Sequence, residues 1–270
     1  MNHEGQNAHA EMDFWDHLEV LRSSLLRIIG ATVSFSILGF VFKKQLFDII
    51  LWPSRPDFIT YQLMGVKTFP VELINTQLTE QFLIHMKMAC ALGLLCASPY
   101  VLYLLYKFIS PALYDHERRF SRILVISAYT MFIIGLLMNY FLVFPITLHF
   151  LYTYNVSNTV HSFLTLESYS NTLMMMSVIF GIVFEIPVIS AILGKLGLLR
   201  SRTMRLVRRQ AIVIIFIISA IITPTSDAFT LLIVAVPMCL LYETSIFIVK
   251  IEEKRRLKEE EILNVHDKMQ

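Results

Sequence analysis

Long runs of apolar residues alternate with polar or proline-containing segments along most of the chain. Six of these runs predict membrane-spanning helices, because a helix that crosses the hydrocarbon core needs roughly 20 mainly apolar residues. The predicted spans cover residues 24–42, 82–106, 123–144, 172–194, 211–223 and 229–249. The fifth run gives only about 20 Å of helix, so we predict that the last two spans form a shallow or re-entrant hairpin.

The segments between and beside the spans also carry patterns. Residues 1–11 predict no regular structure, whereas Met12–Leu26 predicts an amphipathic helix that runs into span 1, so residues 1–23 form an N-terminal segment. The proline-containing connection 43–81 predicts short helices packed as a cap on one membrane face. Residues 250–270 are a charged tail, expected to be a solvated helix or disordered.

Prolines inside or beside the apolar runs predict where the spans bend or end. Pro99 leaves the carbonyl of Leu95 without its helical donor and should bend span 2. Pro145 is expected to end span 3, and Pro187 to interrupt the backbone ladder of span 4. The predicted fold is therefore an all-α polytopic membrane protein with proline-kinked helices.

Composition and charge support this fold class and predict its orientation. Of the 270 residues, 56% are apolar and only 16% are charged, against about 25% charged residues in soluble domains. Seventeen of the 23 Lys and Arg residues lie in the N-terminal segment, the loops 107–122 and 195–210, and the tail, and Arg27 in the first turn of span 1 is the eighteenth on this side. By the positive-inside rule, both termini and these loops are cytoplasmic.

Signatures of catalysis and of cofactor binding are missing from the sequence. It contains no phosphate-binding glycine loop, no HExxH motif and no paired metal-ligand spacing, and no serine or cysteine has a convincing base partner. Cys90, Cys96 and Cys239 lie in apolar runs and are interpreted as small buried hydrophobic residues. We therefore predict neither enzymatic activity nor a cofactor or metal.

Glu117 is the acidic residue that most needs an explanation. It lies in SPALYDHERR, residues 110–119, a short loop between two spans in which positive charge serves the topology. Either Glu117 forms a local ion pair with a neighbouring arginine, or it receives a cationic partner from outside the chain. Arg118 follows it directly and belongs to the same candidate site.

Glu185 lies within span 4, ten residues before Lys195 and therefore about 15 Å from the cytoplasmic end. A carboxyl group at that depth is costly, so it should face a partner or a wet cavity, or bond to another span. Asn139 and Tyr140, near the outer end of span 3, more readily pack or anchor than bind, although Tyr140 is kept with Glu185 as a candidate for partner-subunit contact or an intramembrane polar site. Glu243 is interpreted as structural, either snorkelling or bonded to Lys250, and Asp227 as an ordinary turn residue.

Several segments resemble the TatC family, the multi-spanning subunits of the twin-arginine protein translocase. They are HLEVLR at His17–Arg22, SPYVLYLLYKFISPALYDHERR at Ser98–Arg119, NYFLVFP at Asn139–Pro145, FGIVFEIPV at Phe180–Val188, TPTSDAF from Thr223, and VAVPMCLLYE ending at Glu243. Their order and spacing are kept from about residue 13 to residue 250.

The resemblance implies six spans in a glove-like bundle in a bacterial-type cytoplasmic membrane. It also implies a receptor that binds the twin-arginine signal peptides of folded cargo and works with single-span partners of the TatA or TatB type in a homo-oligomeric complex. Such a complex draws on the proton-motive force and uses neither nucleotide nor nucleic acid. In the family, the residue matching Glu117 and an N-terminal glutamate bind the two arginines, and Phe108 matches the supporting aromatic. The residue matching Glu185 contacts the single-span partners.

Two features keep alternatives open. The family pattern HLxELR has a glutamate where this chain has Val20, so Glu19, which points about 100° away on a helix, or else Asp13 or Asp16 would supply the second carboxylate. The alternative function is a small-solute or ion transporter that uses Glu185 as its intramembrane site.

Overall fold

The computed structural model describes residues 4–65, 71–109, 118–154, 163–223 and 227–267. Within these ranges the chain is almost entirely helical, and two strands of two residues each form the only sheet in this part of the chain. The α-helices are α1 (Glu4–Val41), α2 (Lys43–Leu51), α3 (Ile59–Leu63), α4 (Glu80–Ile109), α5 (Arg118–Met138), α6 (Phe144–Thr153), α7 (Leu166–Val183), α8 (Ile186–Lys195), α9 (Ser201–Leu206), α10 (Arg208–Ile222) and α11 (Ala228–Asp267).

Among the described residues, five helical segments are long and apolar enough to cross a membrane, and they overlap predicted spans 1–4 and 6. They are Arg22–Val41, Glu80–Leu104, Leu124–Thr153, Leu166–Lys195 and Ala228–Leu257. The fifth predicted span is helix α10, whose 15 residues extend about 22 Å. The chain is therefore a multi-pass membrane protein. The prediction that the last two spans are both short is wrong for the sixth span, and only the fifth is short.

Two terminal predictions need correction. Helix α1 already begins at Glu4, so the expectation of no regular structure over residues 1–11 is wrong; Gln6, Ala8 and Ala10 are residues of good or moderate helix propensity. Helix α11 continues to Asp267, well beyond the predicted end at residue 249. Its charged extension is rich in Glu, Lys and Arg, which favour helix, and this selects the helical alternative for the tail.

Pro145 does not end span 3, contrary to the prediction. The helix continues through a π-helical segment, Asn139–Val143, into α6. Pro145 cannot donate to the carbonyl of Phe141, four residues earlier, and that carbonyl instead accepts a hydrogen bond from the Thr60 hydroxyl. Because an outside donor satisfies this carbonyl and the π turn supplies room for the ring, the span extends to Thr153.

Pro99 is accommodated in a similar way inside α4. The carbonyl of Leu95, which lacks its helical donor, accepts a hydrogen bond of 2.7 Å from the hydroxyl of Ser98. A neighbouring hydroxyl therefore keeps the freed carbonyl satisfied within the apolar span. Cys90 and Cys96 on the same helix are exposed and Cys239 is only half-buried, so the prediction of buried thiols is wrong. An apolar thiol is tolerated on a helix surface that faces lipid.

One compact unit comprises residues 1–47 and 82–129 and contains a close crossing of α1 and α4. A Cβ placed on Gly93 would clash with the Ser36 hydroxyl oxygen and would lie 2.7 Å from both the Ser36 nitrogen and the Thr32 carbonyl oxygen. The crossing therefore requires glycine at this position, as small residues allow helix backbones to approach in membranes. Nearby, the buried ring of His85 stacks on Phe40 at 4.2 Å.

The second compact unit comprises residues 48–81 and 130–270. Tyrosine hydroxyls hold its first connecting segment: Tyr140 donates to the carbonyl of Ile49 at 2.6 Å, Tyr169 to Ile50 at 2.7 Å, and Tyr61 to Pro53 at 2.8 Å. Rings of Trp52, Phe58 and Phe141 fill the space between them. Burial raises the pKa of Tyr61 well above its ordinary value, so its hydroxyl keeps the proton that it donates.

A parallel strand pair and one buried carboxylate join two connecting segments of this unit. Strand β1 (Leu73–Ile74) pairs with strand β2 (Leu164–Thr165). Glu80, only 2% exposed, accepts hydrogen bonds from the backbone nitrogens of Thr76, Gln77 and Glu167 and from the Thr76 hydroxyl, at 2.8–3.1 Å. This carboxylate therefore fixes the first turn of α7 against the segment that precedes α4.

Replacing Glu80 with glutamine is expected to loosen this junction. An amide group offers one acceptor oxygen instead of two, so the hydrogen bond from Glu167 or the set from Thr76 and Gln77 must be lost. Amide hydrogen exchange should become about tenfold or more faster over residues 73–76 and 164–167. Glu72→Gln, at an exposed carboxylate of the same segment, is the matched control, and equal exchange in both variants would contradict the role of Glu80.

Candidate functional site

The predicted site around Glu117 lies at the connection between α4 and α5. Phe108 is the second-last residue of α4 and Arg118 is the first residue of α5. Glu117 lies outside the described residues and directly precedes Arg118 in the sequence.

Glu19 lies on α1, three residues before the apolar span that begins at Arg22. Its side chain is exposed, and so is that of Arg22. Three residues of helix correspond to about 4.5 Å, so Glu19 lies close to the membrane surface. The helical backbone also places Glu19 and Val20 about 100° apart. Glu19, Asp13 and Asp16 therefore all remain candidates for the second carboxylate. Asp13 and Asp16 lie on the same helix.

Glu185 lies where the helix of span 4 is interrupted. Helix α7 ends at Val183 and α8 begins at Ile186, with Pro187 in its first turn. The side chain is half-buried, it makes no capping hydrogen bond, and its buried Oε1 atom has no hydrogen-bond partner within the described residues. A polar atom that lacks a hydrogen-bond partner inside an apolar span is costly.

The packing around this interruption is close. A Cβ on Gly135 of α5 would lie 2.6 Å from the carbonyl oxygen of Phe180 and 2.9 Å from the side chain of Phe184. Spans 3 and 4 thus touch through a glycine directly beside the residues that precede Glu185. This close contact restricts movement of the backbone beside the helix interruption. The carboxyl group of Glu185 therefore lies in a rigid environment.

Tyr140 has a structural partner. Its hydroxyl donates to the carbonyl of Ile49, and its ring packs against Phe58 and Phe141. Asn139 is fully buried and donates to the hydroxyl of Ser177 at 2.9 Å, which links spans 3 and 4. These contacts fit the packing and anchoring interpretation of both residues, and they do not bring Tyr140 together with Glu185.

The remaining carboxylates of interest are engaged in the structure. Glu243 forms an ion pair of 2.5 Å with Arg208, which is the partner in place of the expected Lys250. Asp227 accepts hydrogen bonds from the backbone nitrogens of Phe229 and Thr230 and from the Thr230 hydroxyl, and so caps the start of α11. Both residues therefore have structural roles.

Sequence reasoning missed two residues that the structure makes important. The sequence pattern does not single out Glu80, although a glutamate directly before an apolar run can reach back to free backbone nitrogens, and this position was the available signal. Thr60 could not be identified, because the carbonyl that it satisfies is 81 residues away in sequence. Among the described residues, no three His, Cys, Asp or Glu side chains come together to hold a metal ion.

Comparison with protein families gives one match that covers most of the chain. The family model described as Sec-independent protein translocase protein (TatC) matches residues 16–237. This range contains Glu19, Phe108, Glu117, Arg118 and Glu185. Of the candidate residues, only Asp13 falls outside the matched region.

Similar proteins and solved structures agree with this match. The chain is 33% identical to a Sec-independent protein translocase protein TatC of Blattabacterium sp. subsp. Periplaneta americana (strain BPLAN), over 90% of the chain and 97% of the relative. It is 35% identical to the protein of the same name from Aquifex aeolicus (strain VF5), over 91% and 98%. A crystal structure of a twin-arginine translocase receptor, TatC, superposes with a TM-score of 0.73 at 35% identity, covering 87% of this chain and 99% of the other.

Proposed function

Because this chain belongs to the TatC family and is a Sec-independent protein translocase subunit, we propose that it binds twin-arginine signal peptides through Glu117. The observation that carries the proposal is the family match over residues 16–237, which contain Glu117. Positive charge serves the topology of the loop in which Glu117 lies, so its negative charge needs another explanation. The cargo is folded protein, moved across the cytoplasmic membrane at the expense of the proton-motive force.

The chemistry of the candidate residues suits this ligand. A guanidinium group makes two parallel, charge-assisted hydrogen bonds to a carboxylate, so two arginines are best received by two carboxylates. Glu117 supplies one, and Glu19, Asp13 or Asp16 supplies the other. Phe108 contributes an aromatic residue at one end of the connection and Arg118 lies at the other end. Both termini and this connection lie on the cytoplasmic side, where signal peptides arrive.

Glu185 serves a different partner in this proposal. Its Oε1 atom, which has no partner among the described residues, accepts a hydrogen bond from a polar group on the membrane helix of a single-span TatA-type or TatB-type subunit. A transporter would instead need further titratable groups close to Glu185, to pass a solute or ion along. The receptor function is the better supported of the two, because the family match and the similar proteins are protein translocase subunits.

The test of the receptor function is a comparison of two peptides. The purified protein is mixed with a signal peptide that carries the arginine pair or with the same peptide carrying two lysines, and binding is measured by photo-crosslinking. We expect at least about tenfold weaker binding of the lysine peptide, because an ammonium group cannot form the bidentate contact. Equal binding of the two peptides by protein that is active in its own membrane would overturn the proposal.

Glu185→Ala should separate partner contact from peptide binding. Site-specific crosslinking to the membrane helix of a single-span partner is expected to fall about tenfold, since a hydrogen bond to a buried polar group is lost. Binding of the twin-arginine peptide should persist. Tyr140→Phe, which removes only the hydroxyl bonded to Ile49, is the control and should leave the crosslink intact. An unchanged crosslink in Glu185→Ala would exclude this role.

A further inference from the structure

A group of arginines at the end of span 4 has no role in the proposed peptide site. Residues 195–210 hold six basic residues and no acidic one. Arg208 is paired with Glu243, and Lys195 also has an interaction partner. The other four, Arg200, Arg202, Arg205 and Arg209, are exposed, and none of them forms an ion pair within the part of the chain that the structure describes.

Exposed aliphatic side chains lie among these arginines. Leu198 and Leu206 are each 73% exposed, and Val207 is 43% exposed. Leu206 lies one helical turn from Arg202 on α9, on the side opposite to the buried Met204. A segment surrounded by water alone gains nothing from such leucines, whereas alternating cations and aliphatic groups are typical of segments that lie in the membrane interface.

The backbone that carries the arginines is firmly held. The Ser201 hydroxyl donates to Glu253 at 2.8 Å, and the Tyr242 hydroxyl donates to the carbonyl of Met204 at 2.8 Å. Met204 packs with Ile246 and Val249 of α11. Helix α9 is therefore fixed to span 6, and its cations are presented from a rigid support.

We propose that Arg200, Arg202, Arg205 and Arg209 form a binding surface for the phosphate headgroups of anionic phospholipids, with Leu198 and Leu206 inserted beside the acyl chains. Charge complementarity carries the assignment, because the neighbouring carboxylates of Glu243 and Glu253 are engaged by Arg208 and Ser201. All four cations are arginines, which bind phosphate oxygens in pairs, whereas lysine binds them as a point charge.

The test uses the purified full-length protein in detergent, with phosphatidylglycerol and phosphatidylcholine as probes and native mass spectrometry to count retained lipids. Wild type should retain phosphatidylglycerol about tenfold more strongly than phosphatidylcholine. The double variant Arg202→Gln/Arg205→Gln should lose most of this preference. The control Lys43→Gln/Lys44→Gln removes the same charge from the start of α2 and should keep it.

A second variant distinguishes a phosphate site from simple positive charge. Replacing all four arginines with lysine preserves the charge that sets membrane orientation, and phosphatidylglycerol retention should still fall several-fold. Retention equal to wild type in the lysine variant, or no lipid preference in wild type, would overturn the proposal and leave the arginines as a topology signal. Twin-arginine peptide binding, measured in parallel, should be unchanged, so failure here is separate from failure of the proposed receptor function.

Discussion

Replacing Glu117 with glutamine is expected to weaken binding of a twin-arginine signal peptide by about 30-fold or more. The amide keeps the size of the side chain and removes its charge, so one guanidinium group loses its bidentate partner. Much of the loss arises because that guanidinium would be brought out of water without an opposite charge. The dissociation constant, measured by anisotropy of a labelled peptide in detergent, reports the effect directly.

Companion variants locate the second carboxylate. Loss in Glu19→Gln as well as in Glu117→Gln would place it at Glu19, whereas loss in Glu117→Gln alone would direct the search to Asp13 and Asp16. Glu252→Gln is the matched control, because Glu252 lies on α11 and its carboxylate pairs with Arg255 of the same helix at 3.3 Å. Wild-type affinity in Glu117→Gln would contradict the proposed site while leaving the family assignment intact.

Gly93→Ala is expected to destabilise the unit formed by residues 1–47 and 82–129 by about 3 kcal/mol, or roughly 5–10 °C in the unfolding midpoint. The added methyl group would overlap the backbone nitrogen of Ser36 and the carbonyl oxygen of Thr32 at 2.7 Å. These backbone atoms belong to helix α1 and cannot move aside as a flexible side chain can, so α1 and α4 must separate. Thermal unfolding in detergent measures the change.

Two glycines on the other helix of this crossing, α1, provide a graded control series. A methyl group added at Gly30 would have no atom within 4 Å, and one added at Gly39 would have its nearest neighbour, Leu92, at 3.2 Å. Gly30→Ala should therefore be neutral or stabilise by about 0.5 kcal/mol through helix propensity, and Gly39→Ala should be intermediate. Adding Ser36→Ala to Gly93→Ala should not restore stability, because the two backbone contacts persist. Restoration would show that only the serine hydroxyl obstructs the methyl group.

The apolar pattern indicated where membrane helices lie, because membrane thickness and backbone hydrogen bonding leave little choice in lipid, but it did not give the ends of spans 3 and 6. Pro145 shows where this reasoning ends. Its sequence neighbourhood indicates a helix stop, yet the span continues because Thr60, from another segment, satisfies the carbonyl of Phe141. Satisfaction by a distant donor is a property of the tertiary fold, which a local pattern does not contain.

The residues of interest differ in how far the sequence alone could identify them. Glu185 could be identified from residue type and depth alone, since an isolated carboxyl group in a span is costly, and the structure adds that its Oε1 atom lacks a partner within the described residues. Glu117 could be selected only through its chemical context and the resemblance. Glu80 could not be predicted because its importance lies in hydrogen bonds to backbone atoms, and these depend on how two connecting segments meet.

The tyrosines that hold the first connecting segment have a consequence for how the sequence can change. Tyr140, Tyr169 and Tyr61 donate to main-chain carbonyls, which every amino acid at the accepting position provides. Ile49, whose side chain is 58% exposed, can therefore be exchanged for many residues without releasing the segment. The three tyrosines cannot be exchanged in this way, so tolerance to substitution should be unequal on the two sides of the same hydrogen bond.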